Sequence, residues 1–441
     1  MKWNWSELFG SDYYIEIKNN ERKYFGLDEI LPNWEASEFY SKTNICYKRT
    51  VVFWENDTIK KVIVEENRMT DDNVVHSRSY QEFDTTIATE NREMILPLTA
   101  RGKKKKVSAT NILAITPFGC QFYFSLESIL KNPRTYISVC NPRNNQELAI
   151  GEDETIRKIV TPEDFRAFME KYINTCPDYY FERIERMRTE KNHTIKYQPG
   201  DIFRVEVDRF NYCYGLITGE VKRIKEWGEL PERHSMRKLM MVPLMIRFYE
   251  VVTKDGDLKV TDLVDVPLGR MQICGDNDII WGTHSIVGHK KLEVDDIEFH
   301  LICTKHFSED EHCTVFTQDF LMKDNLIATP KEYNLYIEWG TATTTLKYHQ
   351  ISNKLKEYLA QYYCPHGGVS MGIFPNIMLT PEDKRMEIHT YRYDLLEKHN
   401  QFLKDELFSC LGLNANADFD DFAKKFGGLK RKDIVRKIRM R

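Results

Sequence analysis

No two cysteines in this chain are spaced Cys-x-x-Cys, and its ten cysteines, at 46, 120, 140, 176, 213, 274, 303, 313, 364 and 410, are scattered. Several sit inside apolar strand patterns such as Phe118-Gly-Cys120-Gln-Phe122. That usage speaks against a disulfide framework and predicts reduced, buried thiols in a cytoplasmic protein. Long apolar runs are missing as well. The longest candidate, Leu239–Ile246, is strand-sized and interrupted by Pro243, well short of the ~20 residues a membrane helix needs. The opening MKWNWSELFG has no apolar stretch after its single lysine, so no signal peptide is expected. Neither sign of charge dominates: 63 basic and 67 acidic side chains leave a net charge of -4. Such a balance supplies no global attraction to nucleic acid or to a membrane.

Catalytic signatures are equally scarce. There is no His-Glu-x-x-His and no glycine-rich phosphate loop. Gly368-Val-Ser370-Met-Gly372 matches a nucleophile elbow formally, but Cys364-Pro-His366 precedes it and Phe374-Pro375 follows it. An elbow needs a strand before and a helix directly after, so a glycine-rich loop is the expectation. His300, Cys303, His306, His312 and Cys313 fall within fourteen residues, with Cys364 and His366 further on. Their spacing is wrong for a zinc finger, and a strand would point His300 and Cys303 to opposite faces. The run Arg101-Gly-Lys-Lys-Lys-Lys106 has no helix start behind it to organise a phosphate, and reads as a solvated loop. No catalytic residue, metal or cofactor is assigned.

What the chain does have is length and patterning. At 441 residues, with 41% hydrophobic and 12% aromatic side chains, two or three folded domains are expected. The first 160 residues are β-rich. Thr50–Trp54 and Ile59–Val64 flank the polar turn Glu55-Asn-Asp-Thr58 as a hairpin. Ile112–Ile115, Cys120–Ser125 and Thr135–Val139 are further expected strands. At Thr161-Pro-Glu-Asp164 the period changes: an N-cap, a proline at the first helical position and two acids announce a helix to about Asn174. A second helix is expected from Asp178, and Thr189–His193 serves as a linker. Strands resume with Asp201–Val207 and Tyr212–Ile217, then at 240–252, 258–266, 271–281 and 297–304, ending with Tyr333–Trp339. Beyond about 350 the pattern is helical: Ser352–Tyr362, a helix launched by Thr380-Pro-Glu-Asp383 and running to about Phe408, and two short final helices. The last, basic helix reads as a solvated terminus whose cations suit its C-terminal end. The fold expected is α+β: mostly antiparallel β domains, a helical pair between them and a helical C-terminal region. The domains would be 1–192, 193–345 and 346–441.

The middle of the chain resembles a known family. Gly200-Asp201-Ile-Phe-Arg-Val followed by Tyr212-Cys-Tyr-Gly-Leu-Ile217 is similar to the first hairpin of the immunity protein 26 family of bacterial polymorphic toxin systems. Pro243–Tyr249, Trp281-Gly-Thr-His-Ser-Ile-Val-Gly288 and Ile337-Glu-Trp-Gly340 extend the resemblance over roughly 195–345. It implies a protein that neutralises a cognate protein toxin by stoichiometric binding, in the cytoplasm, without a membrane or nucleic acid as partner. Asp201, Tyr212, Tyr214, Trp281, His284 and Trp339 are the candidate partner-binding residues. Tyrosine and tryptophan anchor interfaces, although the same residue types also fill cores. Some relatives carry a phosphotriesterase label, which keeps a phosphotriesterase-like hydrolase as an alternative with His284 as the pocket residue to test. An interaction scaffold, or a nucleic-acid-associated factor using the tail 430–441, is the third reading.

Overall fold

A computed structural model of the chain describes residues 15–43, 45–69, 75–96, 105–115, 118–127, 134–150, 156, 159–191, 194–239, 242–254, 258–306, 333–361, 377–379, 386–388 and 394–440. The architecture is α+β, with mostly antiparallel sheets and helices at the C-terminus. The chain divides into two units. The first comprises 1–195 with 206–211 and 281–283, and the second comprises 196–205, 212–280 and 284–441. Among the described residues no helix is long and apolar enough to cross a membrane.

The first unit is built on one large sheet. Its strands are β1 (Glu35–Lys42), β2 (Cys46–Glu55), β3 (Thr58–Met69), β4 (Val75–Glu90), β5 (Met94–Ile95), β6 (Lys105–Lys106), β7 (Gln121–Glu127), β8 (Arg134–Asn141) and β9 (Gln146–Leu148). The order is β1-β2-β3-β4-β7-β8-β9, with β5 joining β4 to β6. The β2–β3 hairpin closes over Asn56, which takes φ 54, a left-handed value that asparagine tolerates. One core contains Phe122, Phe124, Val139, Phe165 and Met169; a second contains Val52, Trp54, Val62, Phe83 and Ile112. The helix Pro162–Asn174 begins where its capping box dictates. Thr161 Oγ1 accepts the Asp164 N–H at 3.1 Å, and the Asp164 carboxylate accepts the Thr161 N–H at 2.9 Å. The second helix runs Tyr180–Thr189.

The second unit holds a five-stranded antiparallel sheet in the order β13-β12-β11-β10-β14. These strands are β10 (Asp201–Glu206), β11 (Tyr212–Glu220), β12 (Leu244–Thr253), β13 (Leu268–Cys274) and β14 (Ser285–His289). A second sheet contains β15 (Leu301–His306), β16 (Asn334–Trp339) and β17 (Ala342–Leu346), and a small hairpin pairs β18 (Ile377–Leu379) with β19 (Met386–Ile388). The helices Gln401–Cys410, Phe419–Phe426 and Arg431–Arg439 close the chain. Leu216, Met245, Trp339, Leu407, Phe422 and Ile438 lie in a single hydrophobic cluster. The C-terminal helices therefore complete the core under the sheet.

Four local expectations are corrected. Ile112–Ile115 is no strand: a helix spans Ala109–Leu113, capped by Ser108, whose hydroxyl accepts the Asn111 N–H at 3.2 Å. The expected strand 258–266 is instead a 3-10 turn, Val260–Leu263, closed by the Asp262 carboxylate on the Lys259 N–H at 3.1 Å. The expected strand 271–281 ends at Cys274 and gives way to a helical turn, Asn277–Ile280. The long helix to Phe408 is also broken. Met386–Ile388 is a strand, and the helix starts only at Gln401. Between them the Asp394 carboxylate accepts the N–H groups of Leu301 and Leu396, both at 3.1 Å. That tertiary anchor overrides the local helical pattern. The capping motif at 380–383 lies outside the described residues.

Candidate functional site

In the Gly-Asp hairpin, Gly200, Asp201, Phe203 and Gly215 each have a physical reason. Gly200 takes φ 98, and a Cβ there would stand 2.4 Å from the Lys290 carbonyl oxygen and 2.7 Å from His289 Cε1. Its own N–H donates to the Ile217 carbonyl at 2.7 Å, and its carbonyl accepts the Lys290 N–H at 2.7 Å. Only glycine fits a backbone squeezed in this way and turned left-handed. The Asp201 carboxylate accepts the Gln198 N–H at 2.7 Å and lies 2.8 Å from His289 Nδ1. The carboxylate and the imidazole share one hydrogen across that contact.

Two residues along β10, the Phe203 ring fills the space where Gly215 has no side chain. A Cβ at Gly215 would lie 2.2 Å from Phe203 Cζ. The ring also meets Phe248 edge-on, with centroids 5.9 Å apart, and stacks on His284 at 6.3 Å. The Phe and Gly of the motif thus form a lock between neighbouring strands.

The structure distributes the candidate residues among different environments. Tyr212, Tyr214 and Trp339 share the second unit's core at 7%, 0% and 5% exposure. Trp339 Nε1 donates to the Phe299 carbonyl at 3.2 Å, and its ring packs on Phe408, Phe419 and Phe422. The Arg204 guanidinium sits 5.0 Å over the Tyr212 ring. Trp281, partly buried, falls within the first unit, where its carbonyl accepts Gln146 Nε2 at 2.8 Å. His284 is buried beside Phe203. Asp201 stands at the rim of the sheet with His289, whose side chain is 47% exposed. Sequence reasoning passed over His289, although it follows directly on Gly288, the last residue of the Trp281–Gly288 segment.

A second constellation, also unforeseen, has the composition of a catalytic triad. Glu338 accepts the Ser235 N–H at 2.9 Å and also the Ser235 hydroxyl. His234 Nε2 lies 2.7 Å from the Gly340 carbonyl, and its Nδ1 accepts the Met236 N–H at 3.1 Å. Both imidazole nitrogens are thereby committed to backbone, and the ring has no lone pair left to activate Ser235. Burial pushes the imidazole below its usual range despite the neighbouring Glu338. The group ties the Ser235–Lys238 turn to the end of β16.

Of the metal-ligand candidates, His300 and Cys303 are buried, and His300 Nε2 bonds to the Met271 carbonyl at 2.5 Å. The side chain of His306, and His312, Cys313, Cys364 and His366, lie outside the described residues, as do Ser370 with its flanking glycines and the lysine run at 101–104. No group of three metal-ligating side chains occurs among the described residues. In the basic tail, Arg431 pairs with Asp418 at 3.1 Å, Lys437 with Glu229 at 3.3 Å and Arg439 with Glu293 at 3.0 Å. The same helix buries Ile434, Val435 and Ile438.

Among its described residues the first unit contains an enclosed charge cluster. Lys61 Nζ lies 2.7 Å from Glu82 and 2.6 Å from Asp84, and Arg22 Nε lies 2.7 Å from Glu82. The Tyr80 hydroxyl donates to Glu82 at 2.7 Å, and the Asp28 N–H donates to Asp84 at 2.8 Å. Burial works to raise the Glu82 carboxyl, but Lys61 and Arg22 outweigh it and hold it below its usual value. At Asp84 burial prevails over Lys61, and the carboxyl is pushed up to about 6. Two cations facing two carboxylates, with Lys61 and Glu82 fully enclosed, tie the Asn19–Phe25 turn to the sheet.

Neither a curated protein nor a solved structure matches the chain. A family model does match, over a span that begins at Gln198 and ends within the 307–332 segment. The β16 stretch Ile337–Gly340 lies beyond it. Residues 198–310, which hold the Gly-Asp hairpin, β12 to β14 and β15, match the model of the family described as immunity protein 26.

Proposed function

We propose that the chain is a toxin-neutralising immunity protein that acts by stoichiometric binding of a cognate protein toxin. The observation that carries this reading is the immunity protein 26 match across the five-stranded sheet. The side-chain chemistry within and beside the matched span is consistent with it. His234, His300 and Glu338 are engaged in bonds that hold the fold. A binding protein needs surface complementarity and a rigid frame more than a poised nucleophile. The frame here is the sheet locked by Gly200, Phe203 and Gly215.

The test is to co-express the full chain with each nuclease-like or peptidase-like toxin encoded beside its gene. Rescue of growth together with a one-to-one complex on gel filtration is the expected result. Absence of both for every such neighbour overturns the proposal. Turnover of a chromogenic phosphotriester by the purified chain, lost in His284→Ala, would favour the hydrolase alternative instead.

A further inference from the structure

We infer that His289 is a direct contact residue for the protein partner, presented at the rim of the five-stranded sheet by the Gly200–Asp201 pair. The inference rests on the toxin-binding reading above and deepens it by naming one contact and its chemistry.

The geometry is that of a held imidazole. Asp201 fixes Nδ1 from behind at 2.8 Å, while its other carboxylate oxygen is occupied by the Gln198 N–H at 2.7 Å. Asp201 is itself buried at 7% exposure, so the carboxylate is part of the frame and the imidazole is the part that reaches outward. The ring lies against Gly200, where even a methyl group would collide with Cε1 at 2.7 Å. Two signature residues are thus shaped around one histidine 88 positions away.

With Nδ1 held by the carboxylate, Nε2 is the ring nitrogen left for a partner. Among the described residues no hydrogen bond to Nε2 is formed. His289 closes β14, the terminal strand of the sheet. A well-oriented imidazole at a sheet rim selects a polar group. The next two residues are lysines: Lys290, bonded to Asp296 at 2.7 Å, and the exposed Lys291. These cations disfavour a third positive charge beside them. The partner group is therefore a hydroxyl on the toxin surface, which can donate to or accept from Nε2. Asp201 acts here as a positioning residue.

The experiment uses the full chain and the toxin-type proteins encoded beside its gene. Diethyl pyrocarbonate acylates accessible imidazole nitrogens, so half-exposed His289 reacts in the free protein, with exposed His349 as internal reference. In the complex, acylation of His289 relative to His349 is expected to fall. His289→Ala is expected to weaken the complex about three- to tenfold, the value of one hydrogen bond. The protection readout uses the unaltered chain and does not depend on a variant folding. A complex in which His289 reacts as in the free protein, and His289→Ala binds unchanged, overturns this inference and leaves the toxin-binding reading standing. No complex with any neighbouring toxin overturns that reading, and this inference with it.

Discussion

At the centre of the nine-stranded sheet sit two cations and two carboxylates, with Lys61 and Glu82 at 0% exposure. In the five-stranded sheet the strands are locked by a glycine and a phenylalanine ring, and a hydrogen-bonded pair, Asp201 with His289, stands at the rim. Both arrangements hold neighbouring strands together, but they respond to different insults. A buried ion cluster tolerates little change of charge, because removing one member leaves its partners unpaired in a low dielectric. A glycine–ring lock is indifferent to charge and intolerant of volume. A half-exposed polar side chain at a rim stays wet and contributes little stability.

The largest expected effect that tests this contrast is Lys61→Met. It leaves Asp84 with only the Asp28 N–H and Glu82 with Arg22 and Tyr80. The first unit is expected to lose about 3–5 kcal/mol. Denaturant unfolding measures it, and a loss under about 1 kcal/mol would show that the cluster does not hold the sheet.

Next comes Gly215→Ala, which brings a methyl to 2.2 Å from Phe203 Cζ. An overpacking cost of about 1–3 kcal/mol is expected, with partial recovery in the double variant with Phe203→Leu. Strict additivity in that cycle would mean the ring is not the obstacle.

The third test is a pH dependence. Asp84 is raised from 3.8 to about 6, so the folded state binds this proton more tightly than the unfolded chain does. Its contribution is full below 3.8 and is lost as pH rises through about 6. Compared with Asp84→Asn, the natural chain should lose about 3 kcal/mol across that window. Glu82, held low, titrates in the opposite sense, and it cancels to first order in the difference between the two proteins. A flat difference would remove the assigned role of burial at Asp84.

Legibility followed the range of the interactions. The helix Pro162–Asn174 was readable because its start is decided by contacts three residues apart. The β2–β3 hairpin was readable because alternation and a polar turn act within one short segment. Ile112 misled, since a short apolar run fits a strand or a buried helical turn alike, and the hydroxyl of Ser108 decided it. Residues 386–388 misled for the opposite reason, because a strand partner at 377–379 prevailed over local propensity. Asp201 was legible as a turn residue beside glycine, but the histidine it holds, 88 positions on, left no local trace.

The order of residues alone determined the class of the protein and the place of its recognisable module. Periodicity, capping motifs and a Gly-Asp/Tyr-Gly pattern depend on neighbours a few positions apart, and the pattern falls within the matched span 198–310. Tertiary structure decided where those residues sit. It enclosed Tyr212 and Tyr214 in the core, set Phe203 against Gly215, and left His289 at the rim. The physical reason is that burial and pairing are properties of the folded surroundings. Whether an aromatic side chain contacts a partner or a core depends on which distant strands and helices cover it, and that is set only when the sheet closes.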